Sequence, residues 1–130
     1  MKNVLVDSSV WIDYFRSGRQ SADLDDLINH NLIVINELIL TELTPALALK
    51  KQNTLTKLLH HVRMTPLNIN WVELAETQTK CLKKGANCIG IPDLIIAQNA
   101  KHNDVQIYSL DKHFRLINQV YKLQLYQPVK

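Results

Sequence analysis

Four acidic residues of this chain stand beside apolar segments, where a carboxylate is unfavourable unless a partner compensates its charge. They are Asp7 after VLV, Glu42 within LILTEL, Asp93 within IPDLII, and Asp111 after IYSL. Carboxylates supply the hard oxygen ligands that magnesium and manganese prefer. Several carboxylates in one place repel one another, and a divalent cation relieves that repulsion. If the fold gathers these four acids, the sequence therefore predicts a divalent-metal site.

A metal site of this kind has a defined chemistry. It positions a water molecule, lowers the pKa of that water and neutralises charge on a phosphate group. The sequence is compatible with one bound metal ion and with two. Such a hydrolase needs no histidine base, because metal-activated water serves. His113, two residues after Asp111, is close enough to approach a substrate, although a surface role is the more frequent one for such a histidine.

Each acid also has a purely structural interpretation. Asp111 is a candidate helix N-cap, and Asp93 is a candidate partner for a helix dipole. Asp7 ends a strand at the point where the chain turns into a helix, which makes a structural role less common there. Glu42 is the hardest to explain structurally, because it lies beside the predicted buried stripe of leucines in its own helix.

Size and composition indicate a single domain over residues 1–130, with 46% hydrophobic and 21% charged residues. No apolar run approaches the roughly 20 residues of a membrane span, and the apolar part of the start is too short for a signal peptide. Cys81 and Cys88 have no zinc-finger spacing and are expected to be free thiols. These features predict a cytoplasmic protein.

The formal net charge is +3, from 15 basic and 12 acidic residues. If the four acids share one pocket, 8 acidic residues are left to balance the 15 basic ones, a net charge of +7 elsewhere. A basic exterior around an acidic pocket suits a nuclease, because the exterior attracts phosphates. A basic protein with no nucleic-acid role remains the alternative.

Strands and helices are expected to alternate along the chain. The predicted strands are residues 3–6, 32–36, 64–67, 106–110 and 123–126, and the predicted helices are residues 9–16, 21–29, 37–50, 55–61, 71–84, 92–101 and 112–117. Strands that are apolar throughout predict an α/β fold with a central parallel sheet of about five strands, covered on both faces. Pro45 lies inside the third helix, which is therefore expected to begin late or to be kinked.

This arrangement connects the acids in space. Ligands of such sheets bind beyond the carboxyl ends of the strands, and Asp7 and Asp111 both fall at that edge. Asp93 begins a helix, and helices that run back antiparallel to the strands begin at the same edge.

Four segments resemble PIN-domain ribonucleases, in particular VapC-type toxins. Residues 4–16 (VLVDSSVWIDYFR) resemble the opening of that family. Residues 40–43 (LTEL), 91–97 (IPDLIIA) and 108–114 (YSLDKHF) resemble, in the family's order, the segments with its second, third and fourth acids. The match spans nearly the whole chain, with fairly specific first and last motifs and a weakly specific second one. Asp13 belongs to the opening motif but is expected to project from the first helix, outside the metal site.

The resemblance implies a three-layer α/β/α PIN-like fold and a magnesium- or manganese-dependent endoribonuclease, the toxin of a type II toxin–antitoxin pair. By position, the four acids are the implied catalytic and metal-binding set, with Asp7 and Asp93 as the expected direct ligands. Ser109 is the implied small hydroxyl residue that hydrogen-bonds a ligand or metal-bound water. The implied partners are an RNA substrate (tRNA or rRNA), a cognate antitoxin that blocks the cleft, and a second copy in a homodimer. The pair Thr44-Pro45 departs from many relatives and leaves the orientation of Glu42 open.

Three other classes of protein compete with this interpretation. A magnesium-binding receiver-like domain would need an acidic pair near the first strand and a lysine after a late strand, and neither is present. A phosphatase with an Asp-x-Asp motif fails because Ser9 stands at the second position. A non-catalytic PIN-like scaffold that binds a partner remains, although a scaffold has no need to keep all four acids.

Overall fold

The computed structural model of the chain describes residues 2–129. Over these residues, parallel strands form one sheet in the order β3-β2-β1-β4. The elements are, in chain order, β1 (Val4–Val6), α1 (Ser8–Arg16), α2 (Leu24–Asn29), β2 (Ile33–Ile35), α3 (Glu37–Leu49), α4 (Asn53–His61), β3 (Arg63–Met64), α5 (Trp71–Lys83), α6 (Ile91–His102), β4 (Gln106–Tyr108) and α7 (His113–Asn118).

Helices cover both faces of the sheet. All three residues of β1 are buried, and successive residues of a strand point to opposite faces. The two faces of the central strand are therefore both shielded, which confirms the α/β fold with a covered parallel sheet. Among the helices, α3 packs against α1 and α4, and α6 packs against α5 and α7.

The prediction of a full fifth strand is wrong. Within residues 2–129 the sheet has four strands, and the segment predicted at residues 123–126 forms a single parallel bridge between Leu125 and Ile107. Ile107 donates to Gln124 O and accepts from Tyr126 N, both at 2.8 Å. The segment touches the sheet over one residue pair only, which is too short for a ladder.

The start of α3 is set by a buried side-chain cap. The Oδ1 of Asn36 accepts a hydrogen bond from Ile39 N at 2.9 Å, which satisfies a backbone donor that the first turn leaves free. The expectation that Pro45 delays this helix is wrong, because α3 begins at Glu37 and continues past the proline to Leu49. Proline removes one backbone donor, and the helix tolerates that loss.

The second helix begins three residues later than expected. Ser21, the first residue of the predicted helix, instead donates its hydroxyl to Asp13 Oδ2 at 2.7 Å, and Gln20 N donates to the same oxygen at 3.0 Å. Asp13 thus holds the turn that leads from α1 towards α2. Its carboxylate has a structural role in this turn.

The strand order creates a switch point beside β1. The chain proceeds from β1 to β2 and β3 on one side and then returns to place β4 on the other side. In open parallel sheets, ligands bind outside the carboxyl ends at such a reversal. The order also differs from the 2-1-3-4-5 order of receiver-like domains, so the receiver-like alternative is wrong. None of the helices within residues 2–129 has the length and apolar character needed to cross a membrane.

Candidate metal centre

Asp7 lies at the switch point, immediately after β1, and is 6% exposed. Its backbone N–H donates to Tyr108 O of β4 at 2.9 Å, which joins the ends of the two strands. Its Oδ2 accepts hydrogen bonds from Ser9 Oγ at 2.8 Å and from Ser109 Oγ at 2.9 Å. Asp7 is the N-cap residue of α1, but its side chain makes no capping bond. The carboxylate is therefore held by the two hydroxyls and is not used to cap the helix.

Ser9 and Ser109 connect Asp7 to the turn after β4. Ser9 Oγ accepts from Leu110 N at 3.1 Å, and Ser109 Oγ accepts from Asp111 N at 2.9 Å. Each hydroxyl thus donates to Asp7 while it accepts from the turn backbone. This double use sets the position of Asp111 relative to Asp7 across about a hundred residues of sequence.

Asp111 closes the turn before α7. Its Oδ1 accepts from His113 N at 3.0 Å, a local side-chain-to-backbone bond typical of aspartate in turns. The N-cap position of α7 is Lys112, so the expected cap residue is off by one. The second oxygen of Asp111, Oδ2, lies 3.3 Å from His113 Nδ1.

Glu42 faces the other acids from α3 and lies beside the buried side of that helix, as expected. Ile39, Leu43 and Leu47 form the buried side of this helix, and the Glu42 side chain is exposed next to it. Partial burial raises the pKa of Glu42, and the charges of Asp7 and Asp93 raise it further, whereas a hydrogen bond from Ser8 lowers it. The solvent-accessible side chain and the burial effect on its pKa are compatible, because a residue lining an open cleft meets water on one side and protein on the other.

Asp93 enters the site from the first turn of α6. Burial raises the pKa of Asp93, and the charge of Asp111 raises it as well. The nearby His113 lowers the pKa by its charge and its hydrogen bond, and a backbone hydrogen bond from Gly90 lowers it too. The net direction is upward, so the ionised carboxylate is undercompensated where it lies.

Glu42 is within electrostatic reach of Asp7 and Asp93, and Asp93 is within reach of Asp111, so the four acids face a shared region, called the cleft below, although they do not form a finished ligand set. Within residues 2–129 no three histidine, cysteine, aspartate or glutamate side chains converge closely enough to hold a metal ion as they stand. Their chemistry nevertheless fits a hard divalent cation, because all four offer carboxylate oxygens and two of them have pKa values raised by burial and by one another. Small side-chain movements would be needed to bring the oxygens together.

Two residues of this site were not identified from the sequence. Ser9 was not among the predicted site residues, and for His113 a surface role was favoured over an approach to the substrate. The signal for Ser9 is its place two residues after Asp7, within reach of a strand-end carboxylate. The signal for His113 is its place at the start of the helix after Asp111, from which a side chain reaches back over the preceding turn.

Comparisons with known proteins agree with this geometry. The model of the PIN domain matches residues 4–119, whereas no curated protein sequence matches the chain. Similar solved structures are FitAcB from Neisseria gonorrhoeae (23% identity, 96% of this chain and 97% of that chain, TM-score 0.71) and DNA-bound VapBC2 from Rickettsia felis (18% identity, 95% and 96%, TM-score 0.73). A third is DNA-bound VapBC from Salmonella typhimurium (12% identity, 97% and 98%, TM-score 0.73). The family match covers most of the chain, the structural likeness extends over nearly all of it, and the chain belongs to the PIN-domain family.

Proposed function

We propose that the protein is a magnesium- or manganese-dependent endoribonuclease, the VapC-type toxin of a type II toxin–antitoxin pair. One observation carries the proposal: Asp7, Glu42, Asp93 and Asp111 line one cleft at the switch point of a PIN-domain sheet. Burial raises the pKa of Glu42 and of Asp93, and the charges of neighbouring carboxylates raise both further. A cleft of this kind favours a divalent cation and, through it, a phosphate group.

The acids have different parts in this proposal. Asp7 is the most firmly held ligand, since two hydroxyls fix its Oδ2. Asp93 and Glu42 approach from α6 and α3 and complete the negative cleft, while Asp111 joins it from the turn after β4. A bound magnesium or manganese ion would supply water activation and neutralise phosphate charge. Ser109 positions the Asp7 carboxylate, whereas the contact expected for it was a hydrogen bond to a ligand or to metal-bound water.

The surroundings suit an RNA chain. A cavity of about 250 Å³ adjoins the cleft and shares Ser109 and Asp111 with it, and Arg115 also lines it. The basic excess outside the four acids favours a phosphate-rich ligand. We propose tRNA or rRNA as the substrate class and the cytoplasm as the place of action, which the free thiols of Cys81 and Cys88 fit.

The proposed protein partners are a cognate antitoxin and a second copy of the chain. Similar folds occur in structures named as VapBC and FitAB complexes, which supports an antitoxin partner. Co-expression with the adjacent open reading frame, followed by size-exclusion chromatography with light scattering, tests both. A chain that stays monomeric at micromolar concentration and binds no co-expressed partner would contradict this part.

Cleavage of RNA tests the central claim. The purified protein should cut tRNA and rRNA only after magnesium or manganese is added, and EDTA should stop the reaction. Asp7→Asn and Asp93→Asn should each lower the cleavage rate by more than about hundredfold, because loss of an outer-shell partner alone typically reduces activity 10–100-fold. Circular dichroism and thermal unfolding should show that both variants fold.

Asp104→Asn is the matched control. Asp104 is exposed and pairs with Lys2 at 2.8 Å, away from the cleft, so this variant should cut RNA at the wild-type rate. Cleavage without added metal, or wild-type rates in both cleft variants, would refute the metal-site assignment. A folded protein that binds the antitoxin but cuts no RNA would favour the non-catalytic scaffold.

A further inference from the structure

His113 occupies the space between two acids of the cleft. Its Nδ1 lies 2.8 Å from Asp93 Oδ2 and 3.3 Å from Asp111 Oδ2. An ionised carboxylate only accepts hydrogen bonds, so with both acids ionised the imidazole nitrogen between them is the donor. One N–H group thus lies against both carboxylates, two of the acids that would hold a divalent cation.

The backbone explains why the imidazole ring is there. His113 is the first residue of α7, and its own N–H donates to Asp111 Oδ1 at 3.0 Å. The next residue, Phe114, is buried and anchors the helix to the core. The His113 side chain is 24% exposed, so the ring touches the acids on one side and water on the other. It can leave the acids by side-chain rotation while the backbone stays in place.

Within residues 2–129, the imidazole is the only basic side chain that pairs with Asp93 or Asp111. Among the side chains of residues 2–129, no lysine or arginine forms a salt bridge with any of the four cleft carboxylates. His113 lowers the pKa of Asp93, whereas burial and Asp111 raise it. In the metal-free protein the histidine therefore supplies part of the compensation that a divalent cation would otherwise supply.

We propose that His113 is an internal stand-in for the divalent cation. Its imidazole bridges Asp93 and Asp111 in the metal-free protein and turns out to the rim of the cleft when the cation binds. This inference rests on the proposed metal site, but it concerns a different residue and a different event. At the rim, the same N–H group faces solvent, where it can donate to a phosphate oxygen of the substrate.

A stand-in and a metal ligand have opposite effects on metal affinity. If His113 competes with the cation, its removal leaves the two carboxylates repelling each other, and the cation no longer has to break a hydrogen bond. Affinity should then rise. If His113 were a ligand, its removal would lower the affinity.

Isothermal titration with Mn²⁺ measures this difference in the full chain. His113→Ala should bind Mn²⁺ about tenfold more tightly than wild type, a factor that corresponds to about 1.4 kcal/mol. His113→Asn keeps an amide N–H near the position of Nδ1 and should bind within about threefold of wild type. His102→Ala is the matched control, since His102 also contacts a carboxylate, that of Glu73, but away from the cleft; its Mn²⁺ affinity should not change.

Weaker or unchanged binding by His113→Ala would overturn the proposal, as would an Asn variant that binds as tightly as the Ala variant. NMR of the wild-type protein gives a second test that needs no variant to fold. Addition of Mg²⁺ should shift the imidazole signals of His113 and leave those of His102 in place. Saturable Mg²⁺ binding with an unmoved His113 signal would refute the stand-in alone, whereas no binding of either metal would refute the proposed metal site itself.

Discussion

Asn99 should be among the most destabilising positions of the molecule to truncate, although it is polar and lies outside the cleft. It is 4% exposed, in the second half of α6. Its Oδ1 accepts from Asn36 Nδ2 at 3.0 Å and from Thr65 Oγ1 at 2.9 Å, and its Nδ2 donates to Pro66 O at 3.0 Å. One amide thus joins α6 to the cap of α3 and to the segment after β3.

The size of the effect follows from the groups that Asn99→Ala would leave without partners. Asn36 Nδ2, which is buried, loses its acceptor, whereas Pro66 O loses the Asn99 donor but belongs to an exposed residue that water reaches. An unsatisfied buried polar group destabilises by about 1–3 kcal/mol, so the loss at Asn36 should lower the free energy of unfolding by roughly that amount. Native domains have total stabilities of only about 5–15 kcal/mol, so the change should be large.

Urea unfolding followed by circular dichroism is the assay, with two comparison variants. Asn103→Ala removes an exposed amide that donates to Asn99 O at 2.8 Å, and it should lower the free energy of unfolding by less than about 1 kcal/mol. Thr65→Val removes one donor to Asn99 Oδ1, but that oxygen keeps Asn36 and Ile35 O keeps Thr65 N. This milder variant should lose about 1 kcal/mol.

The losses in the free energy of unfolding of the three variants test this reasoning. If Asn99→Ala unfolds within about 0.5 kcal/mol of Asn103→Ala, the buried amide contributes no more than an exposed one, and the reasoning is refuted. Because Asn36 caps the helix that carries Glu42, while Asn99 lies in the helix that carries Asp93, the Ala variant should also bind Mn²⁺ more weakly. The mutation would loosen the two helices relative to each other.

Two further predictions concern pH and the site. Burial raises the pKa of Glu73, but hydrogen bonds that include those from Gln98 and Tyr121 outweigh it, and the net shift is below the ordinary 4.5. As pH falls, the unfolded chain binds this proton before the folded chain does, so the stabilisation is present above about pH 4.5 and is lost below it. Glu73→Gln should therefore lose less stability than wild type between pH 6 and pH 3 in urea titrations. Equal losses in the two proteins would contradict the assignment. Ser109→Ala removes a hydroxyl that holds Asp7 Oδ2 and should lower RNA cleavage about 10–100-fold with the fold intact; a wild-type rate would show that Asp7 needs no such support.

The reliable part of the sequence analysis concerned features that depend on a few neighbouring residues. Proline next to an acid at the start of an apolar helix predicted α6 within one residue at each end. The apolar run before Asp7 predicted β1, and both β1 and Asp7 are found where parallel-strand logic places them. These features hold because helix starts and buried strands are decided mainly by local chemistry and by hydrophobicity.

The errors concerned features that depend on distant partners. Ser21 has the chemistry of a helix cap, but Asp13 takes its hydroxyl and α2 begins later. Residues 123–126 have the apolar pattern of a strand, but only one bridge to Ile107 forms. In each case the local pattern was real, and a contact across the fold decided its use.

The sequence by itself determined which carboxylates form the predicted set and that they stand at strand ends and helix starts. Only the tertiary structure decided which atoms meet. Ser109 lies 102 residues from Asp7 and His113 lies 20 residues from Asp93, yet both pairs are within hydrogen-bond distance. Spacing along the chain has no information on such pairs, because the strand order and the packing of α6 and α7 set these distances. For that reason Asp7, Asp93 and Ser109 were predicted as members of one site, whereas the contact of Ser109 with Asp7, the Ser9 hydroxyl and the His113 imidazole were not.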